Sequence, residues 1–178
     1  MRKKNWFAYT LGLALCFFVR LIPFRAPNVE PILAAQMPFS RVYGAFSGFL
    51  FGFASIVLFD FVTQRVGIWT LITAFTYGFL GLGANLYFKN KENSARSYVT
   101  FAIFATLFYD AITGLTVGPL FFHESFMIAL VGQIPFTALH LLGNISFAYF
   151  ISPSLYRVLT SERETTRAII SNPLIKLS

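Results

Sequence analysis

Charge is what this chain has least of. Of its 178 residues only 12% are charged, and just seven are Asp or Glu, where an average soluble domain carries about 25% charged residues. The few charges also fall in bunches between long apolar runs, which argues against a soluble globular domain. Cysteine is nearly missing. The single Cys16 rules out an intramolecular disulfide and, placed inside the first apolar run, reads as a packed, inert thiol. Catalytic patterns are missing too. There is no HExxH, no nucleophile elbow, no Gly-rich phosphate loop ahead of a helix, and no Cys/His set with zinc spacing. His123-Glu124 is the one tempting acid/base pair, and adjacent residues on a helix point in different directions. Neither an enzyme, a cofactor nor a metal site is expected.

What the chain does have is apolar length. It is 56% hydrophobic with 23 phenylalanines and a mean hydropathy of +0.66, the composition of a polytopic membrane protein. Met1-Arg2-Lys3-Lys4 ahead of an apolar run has the look of a signal peptide, but no small-residue cleavage site precedes Arg20, so a membrane helix is expected there. The apolar runs predict an all-α bundle of six transmembrane helices: 5–22, a short second helix at about 28–39, then 42–63, 68–88, 98–117 and about 124–151. The second is too short for an ordinary crossing, since twelve residues rise only about 18 Å. It is expected to be tilted or part of a broken span, which protein must cover. Residues 1–155 would form the membrane domain and 156–178 a cytoplasmic tail.

Basic residues then set the orientation. Arg2, Lys3, Lys4, Arg41, Lys89, Lys91, Arg96, Arg157, Arg163, Arg167 and Lys176 fall on one side, eleven of the fourteen, and Arg20, Arg25 and Arg65 on the other. The positive-inside rule places both termini in the cytoplasm. The net charge of +7 then belongs to loops beside anionic lipid and not to a nucleic-acid surface. Trp6 and Trp69 are expected at opposite membrane faces.

Polar residues inside apolar runs carry the remaining signal. Gly44, Gly48 and Gly52, continuing to Ser55, lie four apart and predict close helix packing. Gln133, Thr137, His140 and Asn144 share one helix face, which must point into the bundle because lipid offers no hydrogen-bond partner. His140 and Asn144 suit interhelical packing, and Gln133 suits either packing or a ligand. Asp60 and Asp110, in the similar contexts LFDFVTQRVG and LFYDAITGLTVG, are expected at helix C-termini on the outer surface, where they oppose the macrodipole. Salt bridges or loop caps are the plain alternative for both. The stretch RLIPFRAPNVEP, residues 20–31, is richer in chemistry than a turn requires. Its prolines restrict the loop, Arg25 and Asn28 donate hydrogen bonds, and Glu30 accepts them.

RLIPFRAPNVEP, the short second helix and the glycine-spaced GAFSGFLFGFASIVLFD ending in an acid together resemble the S components of energy-coupling factor (ECF) transporters, over about residues 5–155. These are the substrate-binding membrane subunits of vitamin importers. The resemblance implies a six-helix S component in the cytoplasmic membrane, with one pocket open to the outside. It implies that the first loop helps close that pocket, and that Arg25, Asn28, Glu30, Trp69, Asp110, His123, Glu124 and Gln133 line it. It also implies partners: a vitamin-like small molecule, a transmembrane coupling subunit and a pair of ATPases. Docking in the family uses small residues on helix 1, typically Ala-x-x-x-Ala, and the nearest match is Ala8-x-x-x-Gly12. The alternative is a scaffold similar to the rod-shape-determining membrane protein D family, which shares a Gly-spaced helix ending in Asp.

Overall fold

The computed structural model describes residues 3–24 and 29–171, with side chains over 7–24 and 29–161. Trp6, Arg25 and Asn28 fall outside those side chains. The described elements are α1 (Lys3–Leu21), α2 (Ile32–Tyr43), α3 (Ala45–Val62), α4 (Ile68–Phe88), α5 (Ala95–Gly114), α6 (Val117–Phe121), α7 (Phe126–Phe150) and α8 (Ser152–Ser171). Four stretches are long and apolar enough to cross a bilayer: Ala45–Val62, Ile68–Phe88, Ala95–Phe121 and Phe126–Ser161. Phe7–Leu21 is a shorter apolar helix. Helix length alone thus supports four crossings among the described residues, where six were expected. Many large apolar side chains on α1, α4, α5 and α7 face outward, among them Phe7, Phe18, Phe79, Phe104 and Leu142, as lipid-facing surfaces do.

α2 is the centre of the molecule. Every residue from Ile32 to Ser40 is buried, so this helix has no outer face. It packs against α3, α4 and α8, with lesser contacts to α1, α5 and α7. At 12 residues it rises about 18 Å, short of the roughly 30 Å hydrocarbon layer, and its polar groups must find protein partners. They do. Gln36 Nε2 donates to the carbonyls of Gly48 (2.9 Å) and Tyr77 (2.7 Å). Ser40 Oγ donates to Gly81 O at 2.6 Å. Pro38 lies inside α2 and cannot bond the Ala34 carbonyl one turn earlier. Ser152 Oγ, at the start of α8, supplies that donor at 2.8 Å.

Glycine makes the approach possible. A methyl group on Gly81 would overlap the Gly48 backbone, and one on Gly52 would overlap the Gln36 amide. α3 and α4 therefore touch backbone to backbone, with Gln36 and Ser40 filling the gap. Gly44 departs from the expected packing stripe. It precedes α3, nothing lies within 4 Å of a side chain placed on it, and its φ is +98°. Its task is the left-handed turn that stops α2 and starts α3. That turn also explains why α2 runs to Tyr43 and not to residue 39.

Aromatic packing fixes α1. Tyr9 meets Phe39 and Phe51 edge-on, both at 5.4 Å, and its hydroxyl donates to Ser47 O at 2.9 Å. Cys16 is buried and free. At the far end of the chain, Leu159 is buried and Leu155 and Tyr156 pack against the core, so the boundary expected after residue 155 falls inside α8.

Candidate functional site

Two acids expected at the outer surface are buried. Glu30, just ahead of α2, meets Arg20 at the end of α1, with Nε and Oε2 3.0 Å apart. Tyr77 OH, halfway along α4, donates to Glu30 Oε1 at 3.2 Å. Arg20 in turn donates from Nη1 to Ser55 O at 3.2 Å and stacks 3.9 Å over the Phe59 ring. The expected topology placed Arg20 on the outer side and Glu30 in the outer loop. Instead they form one compensated pair against the middle of α3 and α4, where an unpaired charge would be costly.

Asp110 does not end its helix. It lies one turn inside α5 and is 1% exposed. Its Oδ1 is 2.7 Å from His140 Nδ1 on α7, and its Oδ2 takes no hydrogen bond among the described residues. One turn earlier, Asn144 Nδ2 donates to Thr106 Oγ1 at 2.8 Å. One turn later, Gln133 Nε2 donates to Thr137 Oγ1 at 3.2 Å, and its amide sits where a side chain on Gly114 would be. The face of α7 carrying Gln133, Thr137, His140 and Asn144 is thus the face laid against α5.

Aromatic rings link the two acids. Tyr77 and Tyr109 lie 4.5 Å apart, and Tyr109 meets His140 edge-on at 5.6 Å. Beside this chain, between α5 and α7, is an open groove of about 380 Å³. Its walls are apolar (Leu107, Ala111, Leu115, Leu130, Ile134, Ala138 and Leu141), and Asp110, Gln133 and Thr137 are the polar groups on it. An apolar cleft of a few hundred Å³ with few convergent polar groups is the usual form of a small-molecule site.

Trp69, His123 and Glu124 are not in that groove. Trp69 donates from Nε1 to Arg65 O at 3.1 Å, and its ring is 6.1 Å from Phe122. It therefore meets the turn that carries His123 and Glu124, both exposed. A side chain on Gly118 would collide with the Glu124 carboxylate. Asp60 accepts from Thr70 Oγ1 at 2.6 Å, which ties the end of α3 to the start of α4. Sequence reasoning missed Arg20, Tyr77, Tyr109 and Thr106. Arg20 was visible as a charge near the end of helix 1, but not its burial against Glu30. A tyrosine in a Phe-rich helix gives no signal of the acid it will meet.

The two docking candidates divide. Gly12 turns inward, where a methyl would sit 2.6 Å from the Phe39 ring. Ala8 is half-buried on the same side of α1, beside exposed Phe7, Leu11 and Leu15.

No curated protein and no solved structure matches the chain. A family model does match, described as "ECF-type riboflavin transporter, S component", over residues 2–107. That segment holds α1 to α4 and most of α5, including Arg20, Glu30, Trp69 and Tyr77. Members of this family are substrate-binding subunits of multi-pass membrane transporters and not enzymes. With more than half of its length matched, the chain belongs to the ECF-type riboflavin transporter S component family.

Proposed function

We propose that the chain captures a riboflavin-type vitamin in the groove between α5 and α7 and presents it to an ATP-driven ECF module. The observation that carries this reading is Asp110. One carboxylate oxygen is held by His140 at 2.7 Å, the other is buried with no hydrogen-bond partner among the described residues, and Asp110 is one of the residues that line the groove. A carboxylate only accepts hydrogen bonds, so it selects a ligand edge bearing N–H or O–H. Gln133 and Thr137 extend that polar edge, and the apolar walls suit a flat ring. Trp69, at the start of α4, and His123 and Glu124, in the turn ahead of α7, would form the rim. Arg25 and Asn28 would belong to the covering loop. Glu30 would support the wall through Tyr77. Asp110, Gln133 and His140 lie beyond the matched segment, so these residues are where this chain would tune its choice of ligand.

The remaining parts of the reading follow the charge pattern and the family. Both termini would face the cytoplasm, and α1 and α2 would complete six membrane segments in the cytoplasmic membrane. The coupling subunit, with its ATPase pair, would dock on α1 near Ala8. Gly12 supports that face from behind by letting Phe39 approach. The family match sets the scaffold alternative aside.

Flavin fluorescence tests the pocket. Purified protein is expected to quench added riboflavin on binding. Asp110→Asn is expected to weaken that binding tenfold or more, about 1.4 kcal/mol, and Gln133→Leu to weaken it less. Ligand-free melting curves separate a lost contact from a lost fold. Unchanged affinity in both variants would remove the groove from consideration. No binding of any flavin by the native chain would remove the substrate class.

A further inference from the structure

At the basic end of the bundle lies a second pocket, of about 410 Å³, lined by Arg41, Asn85, Leu86, Phe88, Lys89 and Tyr156. It sits between the ends of α2 and α4 and the start of α8, far in sequence from the α5–α7 groove. We propose that it binds the phosphate of an anionic lipid headgroup.

Three observations converge on that ligand. The first is uncompensated charge. Arg41 and Lys89 line the pocket, and Arg41 bonds the backbone carbonyl of Lys91, whose Nζ lies 5.3 Å from the Tyr87 ring. No carboxylate pairs with any of the three among the described residues. Glu92 offers Arg41 its carbonyl at 3.5 Å, while its side chain makes no ion pair among the described residues.

The second observation is a fixed guanidinium. Arg41 stacks 4.2 Å over Tyr156, and its Nη groups donate to Tyr98 OH at 3.3 Å and to the carbonyls of Lys91 and Glu92. A guanidinium has five N–H donors. The Nε–H of Arg41 has no acceptor among the described residues. A held fork with free donors suits phosphate, whose oxygens accept charge-assisted, bidentate hydrogen bonds.

The third observation is a path for a tail. Phe75, Phe79 and Leu86 are exposed along one side of α4, at 45%, 56% and 74%. Their spacing of four and seven keeps them on one face. Eleven residues of helix span about 16 Å, close to half of the roughly 30 Å hydrocarbon layer. Leu86 also lines the pocket, so the apolar stripe ends where the cations begin. That juxtaposition fits an amphiphile with an acidic head better than a free anion. Basic pockets between membrane helices hold acidic headgroups for the same reason.

The test uses the full chain in detergent, titrated with phosphatidylglycerol, with phosphatidylcholine of the same acyl chains, and with inorganic phosphate. A ligand that binds only the folded state raises the unfolding midpoint with its concentration. Phosphatidylglycerol is expected to do so and the other two are not. Arg41→Gln also strips the turn after α4 of its cap, so Lys89→Gln is the decisive variant. It is expected to weaken phosphatidylglycerol binding about fivefold, the effect of one cation near a membrane surface. Arg65→Gln, at the other end of the bundle, is expected to leave binding unchanged. Equal stabilisation by phosphatidylcholine would reduce the site to a greasy stripe, and equal stabilisation by inorganic phosphate would make it a free-anion site. Either result, or equal binding by the Lys89 and Arg65 variants, overturns the proposal.

Discussion

Arg20 and Glu30 are ten residues apart in sequence and 3.0 Å apart in space. Each has a second anchor: Ser55 O and the Phe59 ring for Arg20, and Tyr77 OH for Glu30. A loop carboxylate facing a ligand would be dispensable for folding, whereas a buried ion pair is not. Breaking such a pair leaves one charge stranded, at a cost of about 3–5 kcal/mol, while removing both charges together costs far less. Arg20→Met is therefore expected to lower stability by about that amount, as is Glu30→Gln by a smaller step because the amide can still meet Tyr77. The double variant is expected to regain much of the loss, giving strong coupling in a double-mutant cycle. Chemical unfolding of the ligand-free protein in detergent measures it. Simple additivity of the two losses would show that the pair does not stabilise the fold. Strong coupling would support the proposal that Glu30 acts on the site through Tyr77.

At the scale of elements, α2 shows how a short helix survives in a membrane protein. Its backbone defect at Pro38 and the hydroxyl of Ser152 on α8 answer each other across 2.8 Å. Ser152→Ala would leave the buried Ala34 carbonyl without a donor, at about 1–3 kcal/mol. Pro38→Ala restores the helix's own N–H at that carbonyl. The loss on removing Ser152 is therefore expected to shrink in the Pro38→Ala background, as read from melting temperatures. An equal loss in both backgrounds would mean that Ser152 acts elsewhere. Much of this architecture was legible in advance. Helix 68–88 was expected to the residue, because Gly67 and Lys89 bracket an unbroken apolar run. The long helices 45–62 and 126–150 start two or three residues later than expected and end one residue earlier. α2 was misplaced by four residues because polar Asn28 looked like a start and Phe39 like an end. The true limits are set by Gly44 and by burial, which is a tertiary fact. Within the site, periodicity put Gln133, Thr137, His140 and Asn144 on one face, but it could not say that Asp110 and Thr106 would stand opposite. Partner choice depends on how far α5 slides along α7, and two apolar helices give little sequence signal of that register.

The whole molecule is polarised from end to end. Arg41, Lys89 and Lys91 gather around Tyr156 and Tyr87 at one end, and Asp60, Trp69, His123 and Glu124 lie at helix ends and turns away from them. The Arg20–Glu30 ion pair and the Asp110–His140 hydrogen bond occupy the interior between these ends. Anionic lipid on the cytoplasmic leaflet favours the basic end there, and the cationic loops resist translocation during insertion. The groove of Asp110 and Gln133 would then open toward the outside, where a capture subunit meets its vitamin. Cysteine labelling decides the orientation cleanly, because native Cys16 is buried and free and contributes little background. Arg65→Cys and Lys91→Cys both replace exposed side chains, so neither should disturb packing. A membrane-impermeant maleimide is expected to label Arg65→Cys in intact cells and to reach Lys91→Cys only after the membrane is opened. The reverse pattern would turn the bundle over, place the α5–α7 groove on the cytoplasmic side, and make uptake by this route untenable. Labelling of both sites in intact cells would place them on the same side of the membrane and show that α4, the one helix between them, does not span the bilayer.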